Sequence, residues 1–173
     1  MRRALVILVT MILLWAVLAE INHTLSPWHV YLWIGGLFVT YSALTLALRP
    51  GVIATLCIGM VFDAAAAIPF GTHALLFAAA HIIIFNVRDR VPREETVARV
   101  VIALLANLAL FLVLSLFLLT RIPSPASAWP RLVVDLLCSQ LLIVLIGPWF
   151  FALQSSALEL SRPFTTRYGR EIE

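Results

Sequence analysis

The sequence predicts an all-α integral membrane protein, built as one transmembrane domain over residues 1–173, with six transmembrane helices and both termini in the cytoplasm. Hydrophobic residues make up 62% of the chain and charged residues only 12%, and the mean hydropathy is +1.03. A soluble domain is roughly half apolar, so lipid is the solvent that fits this composition. The apolar residues fall into six runs, and the arginines between the runs indicate their orientation.

Each apolar run is interpreted as one helix. A helix needs about 17–25 residues to cross the hydrocarbon layer of a bilayer. The third and fourth runs fall short, with 16 and 15 residues, so a re-entrant hairpin is the alternative interpretation of these two. The predicted helices are Ala4–Ile21, Trp28–Leu48, Val52–Ala67, His73–Val87, Val97–Leu119 and Val133–Leu153, followed by a short cytoplasmic tail over residues 154–173.

All twelve residues in the lysine and arginine count are arginines. If all six runs cross the membrane and the N-terminus is cytoplasmic, ten arginines face the cytoplasm and only Arg121 and Arg131 face outward. This excess predicts an N-in, C-in topology by the positive-inside rule. The first run also has features of a signal peptide, because Arg2-Arg3 precedes it and Val17-Leu18-Ala19 resembles a cleavage site.

Aromatic residues near the run ends are assigned to the membrane boundary. Trp and Tyr side chains are enriched at membrane interfaces, so we expect an aromatic belt that contains Trp28, Trp33, Trp129, Trp149 and Tyr31.

A few isolated polar residues lie near the ends of the apolar runs or inside them. We expect Glu20 and Asp135 to lie at the outer boundary and reach water. Asn22-His23-Thr24 lies in the first predicted outer loop and matches a glycosylation sequon, which has no meaning in a bacterial protein. Asn107 is expected to form a hydrogen bond across helices. The three prolines between Thr120 and Pro130 predict an extended outer connection.

Small residues in the third run predict close helix packing. Gly51, Thr55, Gly59, Asp63 and Ala67 recur every four residues and form one stripe along the helix. Small side chains let helix backbones approach each other in lipid, where the hydrophobic effect gives no drive between helices. We therefore expect a tight helix–helix contact along this stripe, in preference to a cavity wall.

Asp63 is the one carboxylate well inside an apolar run, and a charge in that environment is costly unless it is paired. We expect it to anchor or cap the next helix, because the free N–H groups at a helix start attract an anion. Thr72 is the predicted N-cap of the fourth run, Gly71 can supply a positive φ in the turn, and His73 lies within reach. A contact to an ion or substrate, a proton site and exposure to outer-surface water remain alternatives.

Several classes of function are disfavoured by the residues present. The arginines lie between apolar runs and form no basic stripe, which argues against nucleic acid. Cys57 and Cys138 lack a paired spacing, so neither a disulfide framework nor a metal site is expected from them. Asp63 and His73 lack a third metal ligand at a recognisable spacing, and His81 lies about 12 Å further along the helix. Without a nucleophile–base spacing or a glycine-rich phosphate loop, we expect neither an enzyme nor a cofactor site.

The stretch from Leu48 to Leu75 resembles the MreD family of bacterial rod-shape-determining proteins. Its Pro50-Gly51, Gly59-Met60-Val61-Phe62-Asp63 and Phe70-Gly71-Thr72-His73-Ala74-Leu75 are similar in order to the Pro-Gly, Gly-x-x-x-Asp and Phe-Gly-x-x-Ala-Leu of that family. The resemblance implies a non-enzymatic scaffold of the cell-elongation complex in the bacterial inner membrane. The residues that it assigns to the family motif, in helix packing or partner binding, are Arg49, Pro50, Gly51, Gly59, Asp63, Phe70, Gly71, Thr72 and His73.

The resemblance also implies partners besides membrane lipid. Such proteins bind the membrane-anchored, largely periplasmic MreC, and they help to connect cytoplasmic MreB filaments to periplasmic peptidoglycan synthases. Their fold is similar to that of the substrate-binding subunits of energy-coupling-factor vitamin transporters. A substrate-binding subunit of a vitamin-type transporter is therefore the alternative function, with Asp63, Thr72 and His73 at an outward site beside two short helices.

Overall fold

The structure is a computed structural model. In the part of the chain that it describes, the residues form six α-helices and no β-strand. Those residues are 2–66, 68–90, 95–121 and 125–160. The all-α prediction with six helices is confirmed within these ranges. In chain order the helices are α1 (Arg2–Leu25), α2 (Gly35–Thr45), α3 (Leu48–Ala65), α4 (Thr72–Val87), α5 (Thr96–Leu119) and α6 (Pro125–Leu160).

Four of these helices are long enough to span a membrane. Within the described ranges, α1, α3, α5 and α6 are long and apolar enough to cross a membrane. α4 has 16 residues, which extend about 24 Å at 1.5 Å per residue. The composition and these four helices together mark the chain as a membrane protein.

The second predicted helix, Trp28–Leu48, is wrong in extent. A short 3₁₀ turn covers Ser26–Trp28, and α2 is an 11-residue helix that begins only at Gly35. Residues 29–34 are non-helical, although they are apolar enough to continue a helix. The physical reason is that the backbone N–H groups of Tyr31, Leu32 and Trp33 find acceptors on side chains of α1 and α6.

α2 forms the centre of the molecule. Every residue from Gly35 to Leu44 is buried, and α2 contacts α3, α4, α5 and α6. A helix that is apolar on all sides is typical of such an enclosed position. At 11 residues, it is about 16 Å long and shorter than the bilayer core. Non-helical backbone at membrane depth is tolerated where protein surrounds it, which is the situation of residues 32–34, all of them buried.

Two other predicted boundaries need correction. α1 continues to Leu25, so Asn22-His23-Thr24 lies in its last turns and not in a loop. α6 begins at Pro125, inside the segment predicted to be extended, because proline at the first helical position sacrifices no hydrogen bond. The predictions for Ala67 and for residues 161–173 of the tail lie outside the described residues.

Candidate functional site

The turn between α3 and α4 is built around a glycine. Gly71 has a φ of +98° and precedes the first residue of α4, in the left-handed region that favours glycine. Gly71 is therefore the N-cap residue, whereas Thr72, the predicted N-cap, is the first residue of the helix. The Thr72 hydroxyl instead donates to the Pro69 carbonyl oxygen at 2.7 Å.

The Asp63 carboxylate caps α4 from the end of α3. Its Oδ2 accepts the backbone N–H groups of Gly71 at 2.9 Å and Ala74 at 3.2 Å. Its Oδ1 accepts the backbone N–H of His73 at 2.8 Å and pairs with His73 Nδ1 at 2.9 Å. The predicted capping contact is thus confirmed, and it satisfies donors that a helix start otherwise leaves free.

Asp63 is enclosed as well as fully bonded. Its side chain is 0% exposed, against 6% for His73. A carboxylate with four hydrogen-bond partners and no exposed surface has no oxygen directed at a substrate or ion. The assignment of Asp63 and Thr72 to an outward substrate site therefore has no geometric support, while His73 does line a cavity.

The small-residue stripe of α3 packs against α4, as predicted. A Cβ added at Gly59 would lie 2.5 Å from the Cα of Ala74, and one added at Gly51 would lie 2.2 Å from His81 Cε1. Thr55 on the same stripe is also buried. The two helices are therefore in backbone contact at Gly59, a distance that only glycine allows.

The remaining motif residues lie at the two ends of α3. Arg49 is exposed and Pro50 half-buried in its first turn, where proline is tolerated. Phe70, in the turn that follows α3, is 70% exposed. The motif thus divides into residues that join α3 to α4 and residues that face away from the core.

His81 lies deeper on α4, at the Gly51 contact. It is fully buried, and its ring stacks on Phe85 at a centroid distance of 6.2 Å. Neither of its ring nitrogens has a hydrogen-bond partner among the described residues. Within the described ranges, no group of three His, Cys, Asp or Glu side chains is placed to hold a metal ion.

The non-helical segment 29–34 is held by polar side chains from two helices, α1 and α6. Asn22 makes two bonds to the Leu32 backbone, accepting the N–H at 2.8 Å and donating to the carbonyl at 2.9 Å. Asp135 Oδ1 accepts the Tyr31 N–H at 2.8 Å. Sequence reasoning missed this arrangement, because Asp135 lies 104 positions from Tyr31 in the chain and only the folded bundle brings the two together.

Two further side chains accept backbone N–H groups just before and at the start of α2. Ser139 accepts the Trp33 N–H at 2.8 Å and donates its own proton to the Asp135 carbonyl at 2.6 Å. Asn107 Oδ1 accepts the Gly36 N–H at 3.1 Å, which confirms the predicted hydrogen bond across helices. Asp135 is 5% exposed, so the prediction that it reaches water is wrong.

Trp33 lies in the core and not in an interfacial belt. It is 4% exposed, and its ring lies 5.9–6.4 Å from those of Phe62, His73, Phe77 and Phe111. Trp28, Trp129 and Trp149 are 76%, 46% and 79% exposed and Tyr31 47%, as a belt would be. The non-helical segment carries Trp33 inward, which periodicity in the sequence does not reveal.

An open cavity of about 430 Å³ lies beside the α3–α4 turn, at the end of the bundle predicted to face outward. We call it the outer cavity. His73 and Trp33 line it on one side and α5 and α6 on the other. Its polar lining consists of Tyr31, His73, Ser115, Arg131 and Asp135 together with the indole of Trp33, and its apolar lining of Ala65, Ala66, Ile68, Phe111, Leu114, Leu118, Ala128 and Leu132.

A second concavity runs between α4 and α5 on the lipid-facing side. It measures about 520 Å³, and Arg88 is the one charged residue among those that line it. We call it the α4–α5 groove. Its lining residues are Leu76, Ala79, Ala80, Ile83, Ile84, Val87, Arg88, Ile102, Leu105, Ala106, Ala109, Leu110 and Val113.

Arg88 also closes the C-terminal end of α2. Its guanidinium donates to the carbonyl oxygens of Ala43 at 3.2 Å and Leu46 at 2.9 Å, and it lies 3.7 Å from the ring centroid of Phe85. A cation at a helix C-terminus satisfies carbonyls that lack a partner within the helix.

Comparisons with known proteins identify no relative. No protein-family model matches the chain, and neither the curated proteins nor the solved structures contain a match.

Proposed function

We propose that the chain is a non-enzymatic scaffold of the bacterial inner membrane, in the manner of the MreD family that its motif resembles. It binds the transmembrane helix of an MreC-like periplasmic protein and so links cytoplasmic MreB filaments to peptidoglycan synthesis and rod shape. The α4–α5 groove is the observation that carries this proposal. It is a lipid-facing surface shaped for one further helix.

The groove exists because consecutive helices diverge. α4 packs closely on α3, and α5 on α2 and α6, whereas α4 and α5 touch only sparsely. Four alanines line the gap, two from each helix: Ala79, Ala80, Ala106 and Ala109. Small residues favour helix association in lipid, because they allow close van der Waals contact between backbones.

The motif residues support this role through α4. The Asp63 cap and the Gly59 contact fix α4 to α3 at two levels. A fixed α4 gives the groove one rigid wall before a partner arrives, which lowers the entropy lost on binding. A resemblance concentrated in Arg49–Leu75 is therefore compatible with a partner site on the opposite face of α4.

Site-specific photocrosslinking tests the proposal. A benzophenone amino acid at Ile83 or Leu105, which are 64% and 61% exposed and line the groove, should crosslink in living cells to a protein with one membrane anchor and a large periplasmic domain. Leu13 on α1 is the matched control, because it is 61% exposed and lies outside the groove. Equal crosslinking from all three positions, or adducts with lipid alone, would contradict the proposal.

The second candidate is a substrate-binding subunit of a vitamin-type transporter. The outer cavity favours it, because it offers a concave, partly polar site next to His73. Native mass spectrometry of the protein extracted from its own membrane separates the two candidates. A stoichiometric single-anchor protein supports the scaffold, whereas a bound small molecule in the absence of such a partner supports transport.

A further inference from the structure

Arg88 is the one charged residue among the described residues that line the α4–α5 groove. It directly follows the last residue of α4, at the end of the groove that the distribution of arginines predicts to be cytoplasmic. The other lining residues are alanine, leucine, isoleucine and valine. Arg88 is therefore the only one of them whose side chain offers a partner helix a hydrogen bond.

The guanidinium of Arg88 is held in place by the protein itself. Its Nη1 donates to the carbonyl oxygens of Ala43 at 3.2 Å and Leu46 at 2.9 Å. Its Cζ lies 3.7 Å from the ring centroid of Phe85. These contacts fix the guanidinium before a partner arrives, so that little side-chain entropy is lost when a further group binds to it.

The same guanidinium retains donors that the protein does not use. Its two bonds to α2 come from Nη1, and neither Nε nor Nη2 has a hydrogen-bond partner among the described residues. Nε is enclosed by protein, whereas Nη2 is not, and the side chain as a whole is 20% exposed. The two N–H groups on Nη2 are therefore the donors that a bound helix can reach.

Asp89 offsets the charge of Arg88 only weakly. Its Oδ1 lies 4.0 Å from Arg88 Nε, which is beyond hydrogen-bond distance, and its side chain is 72% exposed. An ion pair in such a solvated position contributes little. The groove therefore keeps a positive charge at this end.

A helix that covers the groove takes water away from Arg88. Loss of water is costly for a charged donor that receives no acceptor in exchange, so a wholly apolar helix is disfavoured at this end of the groove. A carboxylate restores the lost interaction best, because charge-assisted hydrogen bonds are about twice as strong as neutral ones. The groove thus selects for an acidic side chain at the level of Arg88.

The direction of the partner helix favours the same residue type. A single anchor that precedes a periplasmic domain has its N-terminus at the cytoplasmic end of the membrane. The free N–H groups of that terminus carry partial positive charge, which an acidic residue in the first turn offsets. One carboxylate there would stabilise both the partner helix and its contact with Arg88.

We propose that the helix bound in the α4–α5 groove carries Asp or Glu in its first turn, and that this carboxylate accepts hydrogen bonds from Arg88 Nη2. The remainder of the helix is apolar, with small side chains where it meets the four alanines of the groove. The inference rests on the proposed scaffold function, for which it specifies the chemistry of the partner.

Synthetic helices test the charge requirement without altering the groove. Two fluorescent peptides of about 20 residues, long enough to span a membrane, consist of leucine and alanine and differ only in a Glu or Gln in the first turn. Each is titrated at neutral pH, in neutral detergent, into full-length protein with a benzophenone amino acid at Ile83, and the crosslinked adduct is quantified. The Glu peptide should reach half-saturation at about a tenfold lower concentration, the effect of one charge-assisted hydrogen bond.

Two variants assign this preference to Arg88. Arg88→Gln should bind the Glu and Gln peptides equally. Arg90→Gln is the matched control and should keep the preference, because Arg90 is exposed and does not line the groove. Arg88→Gln also loses its bonds to α2, so the two peptides are compared within each variant, where a loss of stability affects both alike. Thermal unfolding without peptide monitors that loss.

Equal half-saturation by the two peptides, absence of saturable adduct with the Glu peptide, or a preference that persists in Arg88→Gln would overturn the inference. Displacement of the Glu peptide by phosphatidylglycerol but not by phosphatidylcholine would also overturn it, because the groove would then hold a lipid headgroup. The scaffold function stands through these outcomes if Ile83 and Leu105 crosslink to a single-anchor protein in cells. Adducts with lipid alone in cells contradict the scaffold function itself.

Discussion

The Asp63 carboxylate binds His73 at two atoms, because its Oδ1 accepts the backbone N–H at 2.8 Å and pairs with the ring Nδ1 at 2.9 Å. The same ring packs among Trp33, Phe62 and Phe77. One carboxylate thus caps a helix and fixes the orientation of an imidazole at the cavity wall. The α3–α4 turn and the outer cavity are therefore structurally coupled.

Replacement of Asp63 should destabilise the fold. Asp63→Ala leaves three backbone N–H groups at the start of α4 without their acceptor, and we expect the free energy of unfolding to fall by about 3 kcal/mol. Titration with sodium dodecyl sulfate from a mild detergent measures it. Glu20→Ala is the control, since Glu20 is exposed on α1. Equal unfolding midpoints for the two variants would show that the cap contributes little.

Gly59 should be intolerant of even one methyl group. Its added Cβ would lie 2.5 Å from the backbone Cα of Ala74, so Gly59→Ala has to push α3 and α4 apart. We expect a loss of about 2 kcal/mol, typical of an overpacked contact. Gly147→Ala is the matched control, because its Cβ would meet only side-chain atoms of Val100, the nearest at 3.3 Å. A comparable loss in both variants would refute the special role of Gly59.

Ser139 should matter because it supports non-helical backbone. Ser139→Ala removes the acceptor of the Trp33 N–H, and leaving such a buried donor unpaired costs about 1–3 kcal/mol. Ser155→Ala provides the comparison, as that hydroxyl is exposed and bonds only to Ala152 of its own helix. Hydrogen exchange at residues 29–36 should accelerate in Ser139→Ala alone. Unchanged protection there would mean that the segment holds its path without Ser139.

Local chemistry made the α3–α4 hairpin predictable from the sequence. Helical periodicity places Gly51, Gly59 and Asp63 on one face of α3. The turn to α4 then brings Gly71 and His73 next to Asp63. All of these contacts join two helices that are consecutive in the chain. Periodicity and capping rules therefore suffice to anticipate them.

The path of residues 29–34 was not predictable in the same way. An apolar segment predicts helix in lipid, because a helix satisfies its own backbone. Here the acceptors come from Asn22, Asp135 and Ser139, up to 106 positions away in the chain. Only the assembled bundle brings them together, which is why the sequence alone places Trp33 and Asp135 at the membrane boundary.

Arg88 should stabilise the C-terminal end of α2. Arg88→Gln removes the cation that donates to the Ala43 and Leu46 carbonyls, and we expect the free energy of unfolding to fall by about 1–2 kcal/mol. Arg90→Gln is the matched charge change, because Arg90 lies two residues on and is exposed. Detergent denaturation of both variants measures the difference, and a larger loss in Arg90→Gln would contradict this role.

Cysteine labelling tests the topology. In a Cys57→Ala/Cys138→Ala background, Phe70→Cys places a thiol on the α3–α4 turn, where the native side chain is 70% exposed. Arg90→Cys places one after α4, where the native residue is exposed. The positive-inside rule predicts that ten arginines face the cytoplasm. If they do, a membrane-impermeant maleimide applied to spheroplasts should label Phe70→Cys, and it should label Arg90→Cys only after lysis.

The same pair of variants decides between two spans and a re-entrant hairpin. The 18 residues of α3 and 16 of α4 extend about 27 and 24 Å, close to the hydrocarbon thickness that a spanning helix has to match. If both helices cross, Phe70→Cys reacts from outside at the rate of an exposed thiol. A hairpin that enters from the cytoplasm and turns within the bilayer would leave it unreactive before and after lysis, while Arg90→Cys would still react after lysis.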